Sequence, residues 1–220
     1  MKARDWAQQF IYKVIDPFVR GLIKIGVTPN VVTTIGFLLN VAAAGIFVYG
    51  APYGSEGDYS YIGWGGFLIL FAGLFDMLDG QVARIGKMSS KFGAMYDSVL
   101  DRYSEMVVLG GIIYYFMYNH FFVAGFISLV ALVGSIMVSY IRARAEGLGI
   151  ECKGGFMQRP ERVVIMGVGA LVCGICYHFA GFEEWVLWVF TASLLIVAIF
   201  SNITAIGRLN HSRRVMETQK

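Results

Sequence analysis

The sequence has 220 residues, of which 57% are hydrophobic and only 15% are charged. This composition excludes an ordinary soluble protein and is typical of a polytopic membrane protein. The formal net charge of +3 is accounted for by membrane topology, anionic lipid head groups and phosphate-bearing ligands, so we expect no nucleic-acid partner. We expect one all-α, membrane-embedded domain over residues 1–220.

The first predicted element is a juxtamembrane amphipathic helix over residues 1–24. Hydrophobic side chains recur at every fourth position, from Trp6 through Phe18 to Leu22, with charged and polar residues between them. This stripe predicts a helix that lies on the cytoplasmic face of the membrane and bends near Pro17.

Six apolar runs, each about 20 residues long, then predict six transmembrane helices. The string Thr28-Pro29-Asn30 precedes the first run, where proline suits the first helical turn and its polar neighbours can cap free N–H groups. Six spans place both chain ends on the same side of the membrane. The predicted spans are Val31–Tyr49, Ile62–Leu78, Phe92–Tyr118, Phe121–Ile141, Val163–Phe179 and Trp185–Ile206.

The charges are divided unequally between the two sides of this arrangement. All 18 Lys and Arg residues fall on one side, whereas the opposite loops carry only Glu56, Asp58, Glu183 and Glu184. The positive-inside rule therefore predicts an integral protein of the cell (inner) membrane with both termini in the cytoplasm.

Four aspartates lie near the cytoplasmic ends of the second and third spans. They belong to the string D-x-x-D-G-x-x-A-R-x8-G-x-x-x-D-x-x-x-D, which runs from Asp76 through Asp79 and Asp97 to Asp101. Spacings of three and four residues place each pair on one helix face, so two facing helices would bring the four together. Clustered carboxylates repel one another unless cations lie between them, which predicts Mg²⁺ or Mn²⁺. The alternative, charges that only cap helix ends, does not require this spacing.

This string resembles the full signature of the CDP-alcohol phosphotransferases. The resemblance implies a homodimeric enzyme with two metal ions, which transfers the phosphatidyl group of CDP-diacylglycerol to an alcohol and releases CMP. It implies that Asp76, Asp79 and Asp97 hold the metals, and that Asp101 both contacts them and acts as the general base. The residues expected to bind the CDP-lipid are Asn30, Thr33, Gly80, Ala83, Arg84, Ser90 and Gly93.

A second stretch, Ser139-Tyr-Ile-Arg142-Ala-Arg144-Ala-Glu146, ends the fourth span. It resembles the phosphatidylinositol-phosphate synthase branch of the family, in which basic residues bind the phosphate of an inositol phosphate acceptor. Arginines at a membrane helix are costly unless they meet water or anions, although positive-inside anchoring is an alternative for Arg144. The residues expected to bind the acceptor phosphate are Ser139, Arg142, Arg159, Arg162 and Arg208.

Two alternatives stay open on the sequence alone. The same chemistry could use glycerol 3-phosphate, free inositol or another alcohol as the acceptor. A small cation transporter could instead use the carboxylates, although transporters usually show repeated halves and ionisable groups near the bilayer midplane. This sequence has no repeated halves, and its charges gather at one membrane interface.

Overall fold

The computed structural model describes residues 16–152, 154–180 and 184–218, and within these ranges it is helical without strands. A short helix, α1, covers residues 16–24. The longer helices are α2 (Pro29–Ser55), α3 (Ser60–Ile85), α4 (Lys91–Tyr118), α5 (Phe122–Glu146), α6 (Arg159–Ala180) and α7 (Glu184–Thr218). The predicted all-α fold is therefore confirmed.

Five helices have the length and apolar composition to cross a membrane, namely α2, α3, α5, α6 and α7. The chain is accordingly an integral membrane protein. Helix α4 is of similar length to most of these, at 28 residues, but the part before residue 106 carries Asp97, Asp101, Arg102 and Glu105. Its uninterrupted apolar part, residues 106–118, is shorter than the thickness of a bilayer requires.

The six long helices form a closed ring. Each packs mainly against two neighbours, in the order α2, α3, α6, α7, α5, α4 and back to α2. This order places α4 across the ring from α6. The centre is filled by close-packed apolar side chains that are at most 1% exposed, including Phe47, Ile69, Leu109, Met166 and Phe190. Inside a membrane such packing, rather than exclusion of water, holds helices together.

Small residues allow two pairs of helices to meet at backbone contact. A Cβ atom added to Gly174 of α6 would lie 2.4 Å from the Cα of Gly63 in α3. One added to Gly111 of α4 would lie 2.9 Å from the Cα of Ala44 in α2. No larger side chain fits at either crossing, so each crossing fixes the depth of one helix against the other.

Helix α1 packs against α2 and α3 through Val19, which is fully buried. Phe18, a member of the predicted apolar stripe, is 57% exposed and is thus available to lipid. The earlier part of the predicted helix, residues 1–15, lies outside the residues that the structure describes.

The start of α2 differs in one detail from the sequence prediction. Pro29 occupies the first turn and Thr28 the N-cap position, as predicted, but the Thr28 side chain makes no capping hydrogen bond. The Thr28 carbonyl oxygen instead accepts hydrogen bonds from the N–H groups of Val31 and Val32, at 3.1 and 3.3 Å. The expected side-chain cap was therefore wrong, because the backbone alone satisfies these donors.

Candidate active site

The four predicted aspartates gather at the end of the ring where α3 is joined to α4. The connection is a tight turn, in which Met88 N–H donates to the Ala83 carbonyl at 2.9 Å and Lys87 adopts a φ of 52°. This turn reverses the chain, so the acidic faces of both helices lie at the same end of the molecule. The aspartates are Asp76 and Asp79 on α3, and Asp97 and Asp101 on α4.

Asp79 is held in place from α2. Its side chain is buried, and the hydroxyl of Thr33 donates to Asp79 Oδ2 at 2.8 Å. The carbonyl oxygen of Pro29, 3.1 Å from the same hydroxyl, is the alternative acceptor. Because a buried carboxylate without a donor is costly, this bond fixes the orientation of Asp79. Thr33 thus orients a predicted metal ligand, in addition to its predicted place beside the nucleotide.

Asp76 and Asp101 are bridged by Arg159 from the first turn of α6. The Nη1 atom of Arg159 forms a salt bridge with Asp76 and a second one, at 3.0 Å, with Asp101 Oδ1. A guanidinium between two carboxylates offsets their mutual repulsion in a partly buried site. Arg159 is predicted at the acceptor phosphate, and the structure places it against the predicted metal ligands as well.

The donor atoms of this cluster suit a hard divalent cation, because all of them are carboxylate oxygens. Among the residues that the structure describes, no three acidic, histidine or cysteine side chains stand close enough to enclose an ion as they are oriented. Arg159 lies in the gap between Asp76 and Asp101. The cluster therefore fits Mg²⁺ or Mn²⁺ in its chemistry, and it differs from the sequence prediction in containing an arginine.

A cavity of about 250 Å³ opens between α2, α3 and the start of α4. We call it the loop cavity, because the α3–α4 loop forms part of its wall. Asp79 and Asp97 line it. All seven residues predicted for the CDP-lipid also line it, namely Asn30, Thr33, Gly80, Ala83, Arg84, Ser90 and Gly93.

At two positions of the loop cavity, glycine serves different purposes. A Cβ at Gly93 would lie 3.0 Å from Ser90 Oγ, the atom that caps α4 by accepting the Gly93 N–H at 2.9 Å. Gly93 therefore serves the helix cap. A Cβ at Gly80 would meet nothing nearer than the Arg84 guanidinium at 3.6 Å, so this stretch of backbone is open for a ligand to approach.

A second cavity, of about 360 Å³, lies between α4, α5, α6 and α7. Asp97 and Ala94 line both cavities, so the two spaces adjoin at α4. Asp101 and Arg102 line the second one only. We call it the arginine cavity, because it contains all five residues predicted for the acceptor phosphate, namely Ser139, Arg142, Arg159, Arg162 and Arg208.

Two arginines of this cavity differ in how firmly they are held. Arg142 pairs with Glu146 one turn further along α5, at 2.9 Å, and both side chains are 44% exposed. An exposed pair of this kind contributes little stability, so Arg142 can turn to an anion at small cost. Arg208 donates from Nε to the Gly154 carbonyl at 2.8 Å and from Nη1 to the Val138 carbonyl at 2.7 Å.

Arg162 is fully engaged by protein groups. Its Nε and Nη2 donate to the two carboxylate oxygens of Glu105, at 2.6 and 3.0 Å, and its Nη1 donates to the Met157 carbonyl at 3.3 Å. Because its guanidinium is occupied by these protein groups, Arg162 is better suited to hold Glu105 and Met157 in place than to make the predicted direct contact with the phosphate. Sequence analysis missed Glu105, although its position four residues after Asp101 on the same face of α4 was an available signal.

Comparison with known proteins identifies the class of protein to which this fold and site belong. The family model for CDP-alcohol phosphatidyltransferase matches residues 26–199. The chain therefore belongs to the CDP-alcohol phosphatidyltransferase family, and it is a metal-dependent transferase of phospholipid biosynthesis. Membership of this family decides against the cation transporter.

Within the family, the most similar sequences include several enzymes of one type. The chain is 34% identical over 205 residues to phosphatidylinositol phosphate synthase from Mycobacterium tuberculosis, covering 90% of this chain and 85% of that one. It is 38% identical over 161 residues to the enzyme of the same name from Mycobacterium marinum, covering 72% and 64%. Archaetidylinositol phosphate synthase from Methanothermobacter thermautotrophicus is 34% identical over 199 residues, covering 90% and 88%.

The fold is similar to crystal structures of the M. tuberculosis phosphatidylinositol phosphate synthase. The structure of that enzyme with CDP-DAG bound has a TM-score of 0.75 and 33% sequence identity, covering 91% of this chain and 94% of that one. Its complex with manganese and citrate also has a TM-score of 0.75 and 33% identity, covering 89% and 87%.

Proposed function

We propose that the protein transfers the phosphatidyl group of CDP-diacylglycerol to a hydroxyl of an inositol phosphate, forming phosphatidylinositol phosphate and releasing CMP. The observation that carries this proposal is the junction of the loop cavity and the arginine cavity at Asp97. Group transfer requires the reacting ends of two substrates at one point, and two adjoining cavities beside four carboxylates provide it. The relatives named phosphatidylinositol phosphate synthase support the choice of acceptor.

The loop cavity is the proposed site of the CDP part of the donor. Arg84 has a planar guanidinium that matches the oxygens of a pyrophosphate, and it lines this cavity beside the open backbone of Gly80. Thr33 and Asn30 line the same cavity from α2. The crystal structure of the M. tuberculosis enzyme with CDP-DAG bound supports this class of donor.

The proposed metal ligands are Asp76, Asp79, Asp97 and Asp101, with two Mg²⁺ ions as the cofactor and Mn²⁺ as a substitute. When bound, such ions offset the charge of the phosphates and stabilise the leaving group. The oxygen-only donor set supports this proposal, as does the manganese complex of the M. tuberculosis enzyme. Thr33 would keep Asp79 in its ligating orientation, since its hydroxyl donates to one carboxylate oxygen only.

Asp101 is the proposed general base. Its carboxylate lines the arginine cavity, next to the boundary with the loop cavity. It would accept the proton of the acceptor hydroxyl as the hydroxyl oxygen bonds to the lipid-linked phosphorus. The pyrophosphate bond then breaks and CMP leaves with the bonding electrons. A base in this position lowers the barrier because a neutral alcohol is a poor nucleophile.

The arginine cavity is the proposed site of the acceptor phosphate. Arg142, Arg208 and Ser139 line it from α5 and α7, and Arg159 lines it from α6. Charge-assisted bonds from guanidinium groups to phosphate are short and strong, so a phosphorylated acceptor gains binding energy that free inositol lacks. Arg162 is proposed to act on this site indirectly, because Glu105 already binds its guanidinium.

We propose that six helices span the membrane, namely the five candidate spans and, in addition, α4. Helix α1 would lie on the cytoplasmic surface. Both termini and the active site would face the cytoplasm of an inner membrane protein, because the basic residues flank the aspartate-bearing ends of the helices. We further propose a homodimer, on the strength of the family resemblance.

The direct test supplies purified protein in lipid nanodiscs with CDP-diacylglycerol, Mg²⁺ and inositol phosphate. We expect CMP and a lipid with the mass of phosphatidylinositol phosphate to appear in equal amounts, and both to disappear in excess chelator. CMP release without a lipid product, or full activity in chelator, would contradict the proposal.

A further inference from the structure

The Glu105–Arg162 salt bridge has no part in the chemistry proposed above, yet it is the most buried ion pair described in the structure. Its side chains are 4% and 1% exposed, and both carboxylate oxygens of Glu105 accept from the guanidinium. A buried ion pair is weak evidence for stability, because removing both charges from water costs about as much as their attraction returns. Its geometry is the more informative property, since a two-point pair fixes both distance and orientation.

The pair joins two helices that are not neighbours in the ring. Helix α4 packs mainly against α2 and α5, whereas α6 packs mainly against α3 and α7. Glu105 lies one turn beyond Asp101 on α4, and Arg162 lies one turn beyond Arg159 on α6. The salt bridges Asp101–Arg159 and Glu105–Arg162 are therefore successive links between the same two helices.

A third contact connects this pair of salt bridges to α7. The N–H of Met157, just before α6, donates to Thr204 Oγ1 of α7 at 3.2 Å. The carbonyl of the same residue accepts from Arg162 Nη1 at 3.3 Å. Arg162 thus connects the start of α6 to α4 directly and to α7 through Met157. If this connection were lost, the first turn of α6 could rotate, and Arg159 would move relative to Asp76 and Asp101.

We propose that Glu105 is a positioning residue for the acceptor half of the site. Through Arg162 it sets the rotation and depth of α6, and so it holds Arg159 beside the acidic cluster and the arginine cavity. This inference rests on the proposed function, because it assigns Arg159 a place where the acceptor binds. The loop cavity contains no residue of α6, so its own contacts with the CDP group do not depend on this link.

The test is a double-mutant cycle with Glu105→Gln, Arg162→Gln and the combined variant. We expect each single change to lower kcat/KM for the acceptor by about 10²-fold, the size expected when a reacting group is displaced by about an ångström. The KM for CDP-diacylglycerol and the affinity for CDP should stay at wild-type values. The combined variant should be no worse than either single one, because both changes break the same link.

The control is Glu217→Gln, which removes a carboxylate from an exposed, single-contact pair with Arg213 within α7, at 2.7 Å. Neither residue of this pair lines the loop cavity or the arginine cavity. It should leave acceptor kinetics unchanged. Additive losses in the combined variant would overturn the proposal, because they would mean that Arg162 contacts the acceptor independently. Equal losses in donor and acceptor binding would also overturn it, because they would indicate a general effect on folding.

Loss of a single partner from a buried pair can prevent folding, so a second variant keeps the proposal testable. Glu105→Met combined with Arg162→Met replaces the ion pair with apolar side chains of similar length, which buried sites often accept. We expect this variant to bind CDP and to show the low acceptor kcat/KM. Wild-type acceptor kinetics in it would overturn the positioning role. If the wild-type protein uses glycerol 3-phosphate instead, the proposed acceptor fails, and the same cycle run with that acceptor still tests Glu105.

Discussion

Arg159 contacts both Asp76 and Asp101, so an arginine belongs to the acidic cluster that the sequence predicts. The spacing of the aspartates required a positive charge between them, and we expected that charge to come from metal ions alone. An arginine from α6 also supplies it, and this residue lines the arginine cavity as well. One side chain therefore stands between the metal ligands and the proposed acceptor.

Asp101, the proposed general base, can be tested by a single substitution. Asp101→Asn should lower the rate of phosphatidyl transfer by about 10²–10⁴-fold, because an amide cannot accept the proton of the acceptor hydroxyl. Affinity for CDP should be largely retained, since Asp101 does not line the loop cavity. Single-turnover release of CMP measures the first quantity and a CDP titration the second.

Asp58→Asn serves as the matched control, because Asp58 lies at the opposite end of the ring, where its carboxylate accepts the N–H of Ser60 at 2.9 Å. It should keep wild-type activity. A near-normal transfer rate in the Asp101 variant, with metal still bound, would rule Asp101 out as the base.

A second prediction concerns Thr33, whose hydroxyl donates to the proposed metal ligand Asp79. Thr33→Val removes the hydroxyl that donates to Asp79 while keeping the shape of the side chain. Loss of such a partner typically lowers metal affinity by about 10–100-fold, because the ligand is no longer held in its binding orientation. A Mn²⁺ titration of purified protein, followed by electron paramagnetic resonance, measures the change.

Thr191→Val is the control for this experiment. Thr191 is also a buried threonine, but its hydroxyl donates to the Leu187 carbonyl of its own helix, at 2.9 Å. Its Mn²⁺ affinity should equal that of the wild type. Equal affinity in the Thr33 variant would show that Asp79 does not depend on this hydrogen bond.

At the scale of helices, hydropathy predicted where each long helix lies but not where it ends. The last span was predicted as Trp185–Ile206, whereas α7 extends over Glu184–Thr218. An apolar run marks only the part of a helix inside the bilayer. Beyond it α7 continues with charged residues, including the exposed pair of Arg213 and Glu217, which supports a helix through its four-residue spacing.

The packing order of the helices could not be predicted from the sequence. The motif spacing correctly brought the aspartates of α3 and α4 to one end, because a short loop joins these helices. Nothing in the spacing of Glu105 or Arg162 identifies them as partners, since the choice depends on α4 and α6 facing each other across the ring. Contacts between distant parts of the chain therefore required the structure.

The crossing of α3 and α6 leads to a prediction about stability. Gly174→Ala should lower the free energy of unfolding in detergent by about 1–3 kcal/mol, the usual cost of overpacking, and so lower the melting temperature. The reason is that the new Cβ would lie 2.4 Å from the Gly63 Cα. Activity should fall as well, since α3 carries two of the aspartates and α6 carries Arg159.

Gly110→Ala is the matched control, because a Cβ at Gly110 would meet nothing within 4 Å. This change should leave stability unchanged or raise it slightly, as alanine favours helix over glycine. The same melting temperature for both variants would show that the close crossing does not limit the packing of α3 against α6.

At the scale of the whole molecule, the ring of helices places both cavities and the acidic cluster at one end. We predict that this end faces the cytoplasm. In a background without native cysteines, Ser55→Cys at the opposite end should react with a membrane-impermeant maleimide added outside intact cells. Glu217→Cys, near the end of α7, should react only after the membrane is opened. The reverse pattern would invert the predicted topology.

We propose that one end of this ring joins a CDP-lipid site to a site for a phosphorylated inositol. This proposal is tested most directly by competition, with purified protein given CDP-diacylglycerol, Mg²⁺ and equal concentrations of inositol phosphate, glycerol 3-phosphate and free inositol. Mass analysis of the lipid products should find phosphatidylinositol phosphate as the main product, and Arg142→Gln should reduce it by raising the KM for the acceptor. Phosphatidylglycerol phosphate as the main product, with the inositol phosphate unused, would contradict the account.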